Sequence, residues 1–233
     1  MIVGIMQPYF FPYLGYWQLL GAVDKYVVYD DVTYIKGGWI NRNNILVNGQ
    51  SHLITLSLEK PSSFKKINEI NITYDIKRRE KILKTIEGAY KKAPYFNVII
   101  KEVKELIEKS VTIADLNYFT ILFVKEYLGL NTDIILSSNL NKNNELRGQD
   151  KVIHITKLLG GDVYYNAIGG VELYDSSSFA VEGIKLCFLK TDKLEYKQFN
   201  NEFVSNLSIL DVLMFNSPDE VRELMKKYSL IET

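Results

Sequence analysis

The chain is short of the residues on which much enzyme chemistry relies. Its 233 residues include one cysteine and two histidines. With Cys187 alone, an internal disulfide and a cysteine-built zinc centre are both excluded. Long apolar runs are missing too: nothing approaches the ~18 consecutive apolar residues of a membrane-spanning helix. The start, MIVGIMQP, has no basic segment and soon meets proline and tyrosine, so a signal peptide is not expected. Neither sign of charge is in excess, with 28 basic against 28 acidic side chains. A general binder of nucleic-acid polymers carries a basic surplus, so no such partner is expected. No Walker loop, GxGxxG, Ser-His-Asp order or zinc spacing is present. The expectation is a cytoplasmic protein without a membrane span.

What the chain does have is tyrosine. Its 16 tyrosines outnumber 14 glycines and 11 phenylalanines. Tyr9, Tyr13, Tyr16, Tyr26, Tyr29 and Tyr34 crowd the N-terminal segment, and Tyr164, Tyr165 and Tyr174 flank the pair Gly169-Gly170. Each brings a stacking face and a hydroxyl. Two clusters in an otherwise ordinary globular composition point to a pocket rather than to a general surface property.

The order of elements predicts an α/β fold. Ile2 to Met6 reads as a buried strand stopped at Gln7-Pro8, Trp17 to Val23 as a helix, and Lys25 to Tyr29 as a second strand. That βαβ unit implies parallel pairing. His52 to Leu58 alternates as a strand, and Asn71 to Tyr74 is a further candidate. Helical periodicity covers Lys77 to Lys92, Val98 to Lys109, and a third segment capped by Thr112. Asp133 to Leu136, Val163 to Tyr165 and Ile184 to Leu189 read as strands, the last of these closing the sheet. Gln149 to Leu159 is a helix, stopped by Gly160-Gly161. Ser217-Pro218-Asp219-Glu220 starts a C-terminal helix running to about residue 228. The expected architecture is one α/β domain over 1–233. It has a parallel, doubly wound Rossmann-like sheet and a helical insertion at about 75–130.

Four loops fall at strand ends on one edge of such a sheet, where α/β proteins bind ligands. The first, after strand one, offers Gln7, Tyr9, Tyr13, Gly15 and Tyr16, with Gly15 placed to let an anion near helix amides. The second offers Asp30 and Asp31, either of which can serve as a general base or hold a divalent metal with a nucleotide. With them come Lys36, Trp39, Asn41, Arg42 and Asn43, the cations suited to phosphate or carboxylate. The third offers Ser137 and Arg147, the fourth Tyr165, Gly169 and Gly170. Asp30, Asp31 and Lys36 are the catalytic candidates and the others the substrate-binding ones. Against each stands a structural alternative: an aromatic plug on the core, a solvated turn before a hairpin, a helix cap. His52 and His154 are expected to be structural, and Cys187 a small buried hydrophobe.

QPYFFPYLGY, YDDVTYIKGGWINRN, RGQDKVIHITKLLGGDVYYNAIGG and FVSNLSILDVLMFN together resemble the WbqC-like family over nearly the whole chain. The resemblance implies a bacterial cytoplasmic protein of O-antigen, lipopolysaccharide and other surface-polysaccharide biosynthesis. It also implies N-acyl or aminoacyl transfer, for instance glycyl transfer, to a nucleotide-linked amino sugar. Tyr13-Leu14-Gly15-Tyr16 is further similar to the start of nucleotidylyltransferases and pantothenate synthetase, where His-x-Gly-His binds ATP phosphates. Tyrosine cannot be cationic, so phosphate charge would fall to Lys36, Arg42 or Arg147. The expected partners are small molecules: a nucleotide-linked amino sugar and an acyl or aminoacyl donor. ATP, a nucleotide sugar and Mg²⁺ are the candidate ligands, and no cofactor or oligomeric state is specified. Two other functions stay open beside the transferase. One is an ATP-dependent nucleotidylyltransferase or acyl-adenylate-forming enzyme, the other a non-catalytic scaffold of polysaccharide assembly.

Overall fold

The computed structural model of the protein describes residues 1–200 and 202–232. The chain opens with β1 (Ile2–Met6), α1 (Leu14–Gly21) and β2 (Lys25–Val28). β1 pairs with β2 in parallel, Val3 opposite Lys25 and Met6 opposite Val28. Both strands read as unbroken apolar runs because both faces of the sheet are covered. α1 begins three residues earlier than the expected Trp17, and everything from Leu14 to Leu20 is buried. A helix enclosed all round still has to satisfy its polar residue. Gln18 does so by donating to the carbonyls of Leu224 (3.2 Å) and Lys227 (2.9 Å) and accepting from Thr191 Oγ1 (2.7 Å).

A hairpin follows, β3 (Arg42–Val47) with β4 (Gln50–Thr55). It turns on Asn48 and Gly49 at φ 51° and 77°, the left-handed pair a tight hairpin needs. Asn71–Tyr74 does not form the expected strand; Asn71 and Ile72 make single bridges to Thr112 and Leu58. Three helices come next: α2 (Ile76–Tyr90), α3 (Phe96–Lys109) and α4 (Ile113–Tyr127). Asp75 caps α2 through the amides of Lys77 and Arg78, and Thr112 and Asp115 form a capping box on α4.

The sheet resumes with β5 (Asp133–Leu136), α5 (Gly148–Leu158), β6 (Val163–Ala167), α6 (Ser176–Val181) and β7 (Lys185–Thr191). α7 (Ile209–Phe215), α8 (Pro218–Met225) and β8 (Tyr228–Glu232) complete the order. The sheet runs β5-β2-β1-β6-β7-β8, with β8 antiparallel to β7 and every other pair parallel. The expected all-parallel sheet is therefore corrected to a mixed one. Ile184 to Leu189 is not the last strand, and the C-terminal helix stops at Met225 so that Tyr228–Glu232 can pair along the free edge of β7. Closing that edge removes a row of unpaired backbone groups.

Helices cover both faces of the sheet. Gly4, Tyr26 and Val28 face the larger core built by α1–α4, α7 and α8, while Val3, Ile5 and Val27 face the smaller one built by α5 and α6. Because β1, β2, β5, β6 and β7 run the same way, their C-terminal ends share one edge. Among the described residues, no helix is long and apolar enough to cross a membrane.

Candidate functional site

Two carboxylates stand in the turn just after β2, and they make different contacts. Asp30, 3% exposed, accepts from the Ser138 amide (3.0 Å) and Asn68 Nδ2 (3.1 Å), so both oxygens are engaged in tying three loops together. Asp31 follows Val27 and Tyr29 toward α5. Its Oδ2 lies 2.7 Å from Lys142 Nζ, in a pair whose side chains are 8% and 1% exposed. Lys142 also donates to the Ser137 carbonyl, at the end of β5.

Asp31 Oδ1 and Ser137 Oγ are buried without a protein partner. They stand close enough for the serine to help hold the carboxylate down, although no well-formed hydrogen bond joins them. Burial alone raises the Asp31 pKa. The bond from Lys142, the nearby Ser137 hydroxyl and the charges of Lys142 and Lys151 outweigh it, so the net shift is downward.

Lys151, on the inner face of α5, is a second buried cation beside this carboxylate. Its Nζ is 3.5 Å from Asn144 Oδ1 and 5.9 Å from the Tyr29 ring centre. Burial lowers its pKa; Asp31 opposes the change, while Lys142 and Lys66 add to it. An aromatic wall backs the group. Tyr164 stacks on Phe179 at 5.5 Å, and Tyr174 meets both edge-on. Burial, then Asp31 and Tyr174, push the Tyr29 hydroxyl pKa upward. The arrangement thus holds two buried lysines against one ionised carboxylate, a net positive cluster with an unpartnered acceptor. A phosphate or carboxylate with a donor group nearby suits it.

The first loop divides. Gln7, at the end of β1, has a buried Oε1 with no partner, and its carbonyl accepts from Tyr16 (3.2 Å). Tyr16 is 2% exposed and Tyr9 packs on it at 5.8 Å. Gly15 does not open helix amides to a ligand: a Cβ there would lie 2.7 Å from both Thr191 Oγ1 and the Tyr13 ring. Tyr13 is exposed and lines, with Gly15, Thr191, Tyr196 and Phe203, a cavity of about 420 Å³ on the opposite face from Asp31. None of the unpartnered buried atoms found among the described residues belongs to that lining.

In the second loop Asn41 and Asn43 are buried in the scaffold. Asn41 donates to the Leu56 carbonyl (2.8 Å) and accepts from Tyr34, and Asn43 donates to the carbonyls of Phe10 (3.0 Å) and Phe11 (2.8 Å). Arg42 bonds the carbonyls of Gly37 and Gly38 and lies 6.0 Å over Trp39, so its fork closes its own loop. Lys36 and Arg147 are exposed, and Arg147 is the residue preceding α5. Gly170 is buried where a Cβ would meet the Asn166 amide, Gly169 faces open space, and Tyr165 points to the face opposite Tyr164. His154 accepts from the Asn143 amide (3.1 Å). Among the described residues, no three His, Cys, Asp or Glu side chains converge as a metal site would need.

Lys142 and Lys151 escaped the sequence reading. Lys142 sits in a polar loop and carries no local signal. Lys151 does carry one: it lies four residues before Ile155 on the apolar stripe of α5, where a lysine needs a partner.

The chain is similar to the uncharacterized protein Rv1507c of Mycobacterium tuberculosis (strain ATCC 25618 / H37Rv). Identity is 25% over 228 residues, covering 94% of this chain and 97% of the relative. The family model described as "WbqC-like protein family" matches residues 7–223, from Gln7 through Asp31 and into α8. On that span, the chain belongs to the WbqC-like protein family.

Proposed function

We propose that this protein is a transferase that modifies an amino sugar, carried on a nucleotide, by N-acyl or aminoacyl transfer in surface-polysaccharide synthesis. The observation that carries the proposal is Asp31: a buried carboxylate oriented by Lys142, flanked by Lys151, with one oxygen unpartnered. Counting only the parallel strands, the observed order is 3-2-1-4-5 with helices on both faces, which supports a Rossmann-like assignment. In that topology ligands sit outside the strand ends around the first strand, where Gln7 also presents a buried, unpartnered oxygen.

Lys151 takes a phosphate in this reading while Lys142 fixes Asp31, and the aromatic wall of Tyr29 and Tyr174 excludes water. The sugar amine forms a C–N bond to the acyl carbon, the donor's leaving group departs with the electron pair, and the amine proton passes to Asp31 Oδ1. A carboxylate held low is a modest base, so orienting the amine is its larger contribution. Asp30 has no free oxygen for this role.

A thermal-shift series with nucleotide-linked amino sugars, free amino sugars and ATP tests the proposal. A nucleotide-linked amino sugar should raise Tm, with stabilisation approaching about 2.7 kcal/mol at a hundredfold excess over Kd. The response should be lost in Lys151→Gln, compared with that variant's own unliganded Tm. No response to any nucleotide-linked amino sugar overturns it. A response to ATP alone, with pyrophosphate release in the presence of a carboxylic acid, supports an adenylate-forming enzyme instead.

A further inference from the structure

The balanced charge of the chain hides one lopsided stretch. Between Val32 and Asn68 there are five cations, Lys36, Arg42, Lys60, Lys65 and Lys66, against the single acid Glu59. Folding brings the segment before Lys36 against the one that carries Lys65 and Lys66. The amide of Tyr34 donates to the carbonyl of Lys65 (2.9 Å), and Thr33 bridges Lys66 in antiparallel register. Ile35 follows Tyr34, and Phe64 lies in the turn closed by the Lys65 amide on the Ser62 carbonyl. Phe64 is 100% exposed, Ile35 53% and Trp39 44%. Three large apolar side chains thus stand in water among exposed lysines. Among the described residues, none of the five cations joins an ion pair.

A solvated loop has no use for a fully exposed phenylalanine, and a protein partner would supply a groove with its own acids. Apolar tips ringed by lysines are what an anionic bilayer accepts: the rings enter the acyl boundary and the ammonium groups stay with the headgroups. The patch also lies beside the candidate site, since Thr33, two residues after Asp31, bridges Lys66, and Asn68 donates to Asp30.

We propose that the Ile35–Trp39 loop and the Lys60–Lys66 loop form a peripheral docking surface for an anionic lipid bilayer. The proposal does not depend on the transferase assignment. Docking by this face would leave the protein at the surface without spanning it.

Vesicle flotation decides the matter. The full chain should float with vesicles of equal parts phosphatidylglycerol and phosphatidylcholine, not with phosphatidylcholine alone, and high salt should release it. Phe64→Ser should lower the bound fraction several-fold, and each of Lys65→Glu and Lys66→Glu should weaken binding by at least roughly fivefold. Trp39 supplies a second readout, because the only other tryptophan, Trp17, is fully buried: emission should move to shorter wavelength with the mixed vesicles. All three substitutions are at exposed loop positions, and circular dichroism confirms that the fold persists. Absence of flotation with the mixed vesicles, or flotation indifferent to these substitutions, overturns the proposal. Capture of single-stranded RNA without vesicle binding overturns it in favour of a nucleic-acid surface.

Discussion

Lys142 Nζ lies 2.7 Å from Asp31 Oδ2, and the lysine side chain is only 1% exposed. A pair this deep is poor evidence of net stability, because taking both charges out of water offsets most of their attraction. What it secures is position: the carboxylate is held ionised just after β2, with one oxygen buried and without a hydrogen-bond partner. Removing one partner strands the other charge. Lys142→Met should therefore lower the unfolding free energy by about 3–5 kcal/mol. Lys142→Met combined with Asp31→Leu should recover most of that loss. Urea unfolding of the single and double variants checks this; additive losses would mean that the two residues do not act as a pair.

How far this pair could be seen in advance shows what sequence carries and what it does not. Asp31 is readable because it closes an apolar strand, and the same holds for Gln7 after Ile2–Met6. The capping residues Asp75, Thr112 and Ser217 mark their helices locally, although only the last two form full capping boxes. Lys142 is over a hundred residues from Asp31 and gains its meaning only when β5 is laid beside β2. β8 is equally opaque: its exposed residues show no strand pattern, and only pairing with β7 makes Tyr228–Glu232 a strand. Asn41, Asn43 and Arg42 look like ligand-binding residues in sequence because backbone carbonyls, their actual partners, have no letter of their own.

Asn43 anchors the tyrosine loop from beneath. Its amide donates to two successive carbonyls, Phe10 and Phe11, and Phe11 sits at φ 42°, a left-handed conformation that is strained for a bulky residue. Asn43→Ala leaves those carbonyls short of a donor and should destabilise the protein by about 1–3 kcal/mol. Hydrogen exchange should quicken in the Tyr9–Tyr13 segment more than in α5. Unchanged stability would show that Ser208, which also donates to the Phe11 carbonyl (2.8 Å), holds the turn without help.

Gly15 packs the start of α1 against the end of β7. A methyl group would fall 2.7 Å from Thr191 Oγ1 and from the Tyr13 ring. Gly15→Ala should cost about 1–3 kcal/mol through this overpacking. Tyr13→Ala in the same chain should relieve part of it, since the exposed ring is the neighbour freer to move. If Gly15→Ala binds a nucleotide sugar normally while being less stable, the glycine serves the fold and not the ligand.

Asp211 supplies a pH test with a sign opposite to that of Asp31. It is fully buried in α7, accepting from Tyr196 (2.6 Å), Gln198 (2.8 Å) and Tyr90 (2.9 Å), and no cation pairs with it among the described residues. Burial raises its pKa, and the three donors offset that only in part. With the folded value above the unfolded one, near about 3.9, the folded state binds the proton more tightly. Its contribution to stability is therefore fully present below the unfolded value and is lost as pH rises through the folded one. The lowered Asp31 behaves the other way, losing its contribution as pH falls through its folded value. Asp211→Asn keeps an acceptor for the hydroxyls but no longer titrates. The stability of the variant minus that of the wild type should climb from about pH 4 upward and then level off, by about 1.4 kcal/mol per unit of pKa shift. Urea unfolding in steps between acid and neutral pH measures it, and a difference that stays flat or falls would mean that Asp211 is not the group burial has raised.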